Sequence, residues 1–85
     1  MDISRAEQRI LHLLAQGGRI ELERDQAWAI LNVHCITRDG WRAGGLDMEL
    51  FRKLKRRKCI ASQGGRPYRI TQRGLVLVRA QPDNR

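Results

Sequence analysis

Six of the seven side chains from Arg52 to Lys58 are cationic, with Leu54 the exception. Their chemistry is electrostatic. Guanidinium and ammonium groups attract phosphate and carboxylate oxygens, and on a polyanion they release condensed counterions. Arg66 and Arg69 extend the same chemistry past the run. The charge is one-sided: residues 1–49 hold six Arg against eight Asp or Glu, a balance of −2. Residues 50–85 hold eleven Lys or Arg against Asp83 alone, a balance of +10. Such asymmetry points to a polyanion or an acidic protein surface as partner.

The other reactive side chains do not assemble into a site. His34 and Cys35 are neighbours, so on a strand they point to opposite faces and do not share a metal. Cys59 has no C-x-x-C partner, and His12 reads as a helix surface position. There is no phosphate-cradling G-x-x-x-x-G-K-[ST] or G-x-G-x-x-G run and no convincing acid–base carboxylate pair. The chain therefore reads as a non-enzyme without cofactor or metal. No apolar run approaches the ~20 residues of a membrane span. The start, Met1-Asp2-Ile3-Ser4, lacks the layout of a signal peptide. The expectation is a cytoplasmic protein with reduced cysteines.

The elements that position the charges follow from spacing. A hydrophobic fraction of 41% with localised charge predicts one folded domain over residues 1–85 rather than a disordered polycation. Ser4 and Glu7 form a capping box that starts a helix. Ala6, Ile10, Leu13 and Leu14, widened by Leu11, supply its apolar face, and Gly17-Gly18 ends it. Ile20 and Leu22 alternate with Glu21 and Glu23, which predicts a strand. Asp25-Gln26 is a turn, and residues 27–37 form a second strand with imperfect alternation, so a bulge is expected. Arg38-Asp39-Gly40 is a turn, and residues 41–46 hold a brief third strand or a loop.

Asp47 caps a second helix, with Leu50, Phe51 and Leu54 on one face. On the wheel Arg52 and Arg56 point away from that face, with Lys53 and Lys55 on its flanks. Arg57 and Lys58 belong to the helix end, where positive charge suits the dipole. Residues 59–61, a turn at 63–67 and residues 68–70 form a hairpin. Thr71 caps a last helix through Val78, with Leu75 and Val78 inward, and the tail 80–85 frays. The class is α+β: a winged-helix-like single domain of three helices, a central β-hairpin or small antiparallel sheet, and a C-terminal wing hairpin. About 28 residues of strand and loop separate the first helix from the basic one, which speaks against an ordinary helix-turn-helix.

In a winged helix the basic helix and the wing meet DNA or a protein, and fold alone does not choose. The candidate contact residues are Arg52, Lys53, Lys55 and Arg56 on the helix, with Arg66 at the hairpin tip and Arg69 on its return strand. Trp28 and Trp41 frame the central strands. Packing at the sheet ends is favoured, with exposure as an interface anchor the alternative, for which Trp41 is the better candidate.

Several stretches resemble the YjhX family of small bacterial proteins. They are Ser4-Arg5-x-Glu7-Gln8-Arg9-x-Leu11-His12-x-Leu14-Ala15-x-Gly17-Gly18-Arg19-Ile20, Phe51-x-Lys53-Leu54-Lys55, Pro67-Tyr68-Arg69-Ile70-Thr71-x-x-Gly74-Leu75 and Val78 through Arg85. The likeness covers nearly the whole chain and is weakest over residues 25–46. It implies a toxin-like protein that binds and inhibits bacterial DNA topoisomerase I by hindering its engagement with DNA, with an antitoxin partner. It assigns no site residues. The alternative is a winged-helix DNA-binding transcriptional regulator, contacting DNA through the basic surface.

Overall fold

Ser4 starts the first helix as its spacing predicts. In the computed structural model, which describes residues 3–79, α1 runs Arg5–Ala15. The Ser4 hydroxyl accepts from the Glu7 N–H at 3.1 Å, and the Glu7 carboxylate accepts from the Ser4 N–H at 2.9 Å. The helix ends in a Schellman motif. Gly18 N–H donates to Leu13 C=O and Gly17 N–H to Leu14 C=O, with Gly17 at φ +109°. The buried face is Glu7, Ile10, Leu11 and Leu14. Ala6, expected inside, is exposed, and Leu13 is half-buried. The spacing i, i+3, i+4, i+7 is satisfied by taking in a carboxylate, which rotates the face away from Ala6.

Three antiparallel strands follow as a meander: β1 (Arg19–Arg24), β2 (Ile30–Ile36) and β3 (Arg42–Ala43). Ile20 pairs with Cys35 and Leu22 with Val33, and the register slips between Glu23 and Arg24. The second strand is shorter than residues 27–37, because Asp25 holds a closed loop. Its N–H donates to Ala29 C=O, its carbonyl accepts from Trp28 N–H, and its carboxylate accepts from Ala29 N–H. Trp28 sits in that loop at φ +69°, a left-handed conformation that costs a bulky residue about 1–2 kcal/mol. The turn at Arg38-Asp39-Gly40 forms as expected, with Gly40 N–H donating to Thr37 C=O.

Asp47 caps α2 (Met48–Arg56), accepting from Leu50 N–H at 2.8 Å. Leu50, Phe51 and Leu54 are buried. This helix too closes in a Schellman motif: Cys59 N–H donates to Leu54 C=O and Lys58 N–H to Lys55 C=O. Lys58 occupies the left-handed position at φ +59°, where glycine is usual. β4 (Ile60–Ala61) and β5 (Arg69–Ile70) form the second hairpin, with Gly64 and Gly65 in its turn. Thr71 caps α3 (Gln72–Arg79), its hydroxyl accepting from Gly74 N–H at 3.1 Å. The expected tail at 80–85 lies outside the described residues.

Two reciprocal backbone bonds between Ile20 and Tyr68, 2.9 Å each, tie the second hairpin to the free edge of β1. The architecture is α+β: three helices and two small antiparallel sheets around a core led by Phe51, Ile10, Leu11, Ile20, Leu54 and Val78. Gly74 is helical yet required. A Cβ there would lie 2.5 Å from Cys59 O and 2.7 Å from Ile70 Cγ1, so α3 packs directly on the backbone leading into β4.

Candidate functional site

Burial of Glu7 reorganises the basic run. Its side chain is fully buried. Lys53 Nζ lies 3.5 Å from Oε1 and Arg57 Nε 3.3 Å from Oε2. Lys53 lies on α2 and Arg57 is its C-cap one turn later, so the C-terminal end of that helix grips α1 through a carboxylate. Burial pushes the Glu7 carboxyl up, but hydrogen bonds from the Ser4 backbone and side chain, then the charges of Arg57 and Lys53, outweigh it. The carboxyl ends below its ordinary value and ionised. Oε2 has no aligned hydrogen bond, so its contact with Arg57 is electrostatic. Two cations of the run are therefore committed inside the molecule.

Lys55 and Arg69 are also engaged. Lys55 Nζ stands 5.5 Å from the Phe51 ring centroid and 5.8 Å from that of Tyr68, while the two rings meet edge to face at 5.1 Å. Arg69 Nη1 donates to the Gly17 and Gly18 carbonyls at 3.1 and 3.3 Å, bracing the end of α1. Arg52, Arg56 and Arg66 are exposed, and among the described residues their side chains form no ion pair or hydrogen bond. Of the six candidates, the structure leaves Arg52 and Arg56 exposed on α2, sets Arg66 on the rim of a groove beside the second hairpin, and brings Lys55 beside Tyr68.

Both tryptophans are exposed, Trp28 by 72% and Trp41 by 74%, contrary to the favoured expectation of packing at the sheet ends. The reason is that each falls in a turn flanking β2, outside the alternation that would aim it inward. Arg24 holds Trp28 twice: its guanidinium carbon lies 5.0 Å from the ring centroid, and its Nη1 donates to Trp28 C=O at 2.9 Å. Between this loop and the second hairpin runs a groove of about 500 Å³, lined by Leu22, Arg24, Trp28, Arg66, Pro67 and Tyr68 among others. Trp41 borders a second, shallower groove with Leu13, Ala15 and Arg38 at the end of α1.

Sequence reasoning missed Glu7 and Arg24 as organising residues. Glu7 carried a signal, since it completes the spacing of Ile10, Leu11 and Leu14. Arg24 carried none, because its contact with Trp28 depends on the loop conformation. The thiols are unsuited to nucleophilic chemistry. Cys35 and Cys59 are buried and unpaired, and desolvation pushes both thiols up, only partly offset by Arg9 at Cys35 and by Arg57 and Arg73 at Cys59. His34 turns to Glu23, 3.1 Å from its carboxylate.

Comparison with known proteins bears on the whole chain. Residues 1–85 match the YjhX toxin family, described as "Putative toxin of bacterial toxin-antitoxin pair". A UPF0386 protein of Hyphomonas neptunium is 74% identical over 84 residues, covering 99% of each chain. UPF0386 proteins of Rhizobium etli and Agrobacterium fabrum are each 68% identical over 85 residues, covering all of both chains. No solved structure matches.

Proposed function

This chain belongs to the YjhX toxin family, and on that premise we propose that it is the toxin of a toxin–antitoxin pair and acts in the cytoplasm by binding DNA topoisomerase I. Binding hinders the enzyme's engagement with DNA, and a cognate antitoxin relieves it. The observation that carries a protein target is Trp41. A tryptophan 74% exposed beside Leu13 and Ala15 is the kind of anchor that dominates protein interfaces. The commitment of Lys53 and Arg57 to Glu7 supports the same reading, because it removes charge from a helix that would otherwise lie along phosphate. A tryptophan anchor acts without chemistry, by occupying a surface of its target.

The test is plasmid relaxation by purified topoisomerase I with increasing full-length protein, together with binding of the protein to the enzyme in the absence of DNA. Inhibition at near-stoichiometric protein, accompanied by binding to the DNA-free enzyme, with both weakened at least tenfold by Trp41→Ala, is expected. Absence of both inhibition and binding at stoichiometric excess would sink the proposal. Inhibition without any binding to the DNA-free enzyme would favour the DNA-binding regulator, acting through Arg52, Arg56 and Arg66.

A further inference from the structure

We infer that the groove between the β1–β2 loop and the second hairpin binds single-stranded nucleic acid, with Trp28 as the stacking platform for a base. This inference is independent of the topoisomerase reading, since it concerns a different tryptophan at the opposite end of β2. Single-strand sites combine a cationic track with aromatic faces on which bases stack. The groove has both, in alternation. Arg24 covers one face of Trp28, whose ring is otherwise open at 72% exposure. Arg66 and Tyr68 line the facing wall, and Lys55 lies against Tyr68, joining the groove to the basic helix. Gly65 also lines it, and a Cβ on Gly64 or Gly65 would meet nothing within 4 Å, so a phosphate approaches their backbone without obstruction.

The chemistry selects the occupant. A duplex keeps its bases stacked inward and offers Trp28 nothing to stack on. Of the polar side chains in the groove, Ser62 donates to Arg66 C=O and Glu21 accepts from Arg19 at 2.6 Å, but each keeps free acceptor lone pairs, so the groove takes a single strand of DNA or RNA. The backbone of Trp28 points the same way. Loop closure by Asp25 holds the ring outward at φ +69°, a conformation glycine would adopt freely.

The test uses the full chain and fluorescein-labelled (dT)12, with (rU)12, a 12-base-pair duplex and polyglutamate as comparators, at low salt. Trp28→Gly is the informative variant, because glycine relieves the backbone and keeps the fold while deleting the ring. The expected result is saturable (dT)12 binding that Trp28→Gly weakens about 5- to 150-fold, the range for about 1–3 kcal/mol of stacking per base. In a Trp41→Phe background, where Trp28 is the sole tryptophan, its fluorescence should be quenched on binding. No binding of either single strand, equal affinity of Trp28→Gly, or tighter binding of the duplex would each overturn the inference. Tighter binding of (rU)12 than of (dT)12 would identify the strand as RNA and the reverse as DNA, and stronger binding of polyglutamate would overturn the inference in favour of an acidic protein.

Discussion

Replacing Glu7 by Gln deletes one charge from a position that solvent does not reach. Gln keeps an acceptor for the Ser4 N–H, so the loss falls on the contacts to Lys53 and Arg57. A desolvated contact to a charged group contributes about 1.5–3 kcal/mol. Here the partners keep water, with 42% of the Lys53 side chain and 23% of Arg57 exposed, so the two together are discounted to about 1–2 kcal/mol. Glu7→Ala also loses half of the capping box and leaves a void between α1 and α2, for a total of about 3–5 kcal/mol. A domain of 85 residues has roughly 4–13 kcal/mol of stability, so Glu7→Ala removes at least about a quarter of it and Glu7→Gln much less. Urea denaturation followed by far-ultraviolet circular dichroism is the assay, because exposed Trp28 and Trp41 report poorly on the core. Acid sharpens the test. The folded carboxyl lies below its ordinary value of 4.5, so the unfolded chain binds more protons. The contribution is complete above that value and lost as pH falls through the lower folded one. Glu7→Gln should lack this part of the acid sensitivity. The reasoning is refuted if Glu7→Gln matches the parent, or if its cost is unchanged when Lys53 and Arg57 are both Met.

Two further outcomes follow from backbone geometry. Gly74→Ala places a methyl 2.5 Å from Cys59 O, against backbone that cannot swing aside, and should destabilise by about 1–3 kcal/mol despite the better helix propensity of alanine; a raised melting temperature would contradict the packing of α3. Lys58→Gly removes a left-handed lysine at φ +59° and should stabilise by up to about 1 kcal/mol, read as a higher urea midpoint at unchanged slope.

Most elements were legible because their signals are local. Ser4 with Glu7, Asp47 and Thr71 each bind backbone within three residues, so the helix starts needed no tertiary information. Gly17-Gly18 and the turn at Gly40 are likewise local. The second strand was read too long, because Ala27 and Trp28 look like strand residues until Asp25 closes the loop around them. The placement of the tryptophans failed for the same reason: a side chain in a turn has no alternation to aim it.

By itself, the chain's sequence determined the α+β class, the helix caps, the concentration of positive charge after residue 50 and the family. Local hydrogen bonds and covalent order are enough for those. Tertiary structure alone decided what the charges do. It buried Glu7 against Lys53 and Arg57, stacked Lys55 on Phe51 and Tyr68, and set Arg69 on the end of α1. A charge is free or committed according to what lies within about 4 Å of it, and those neighbours come from elements as many as 52 residues away.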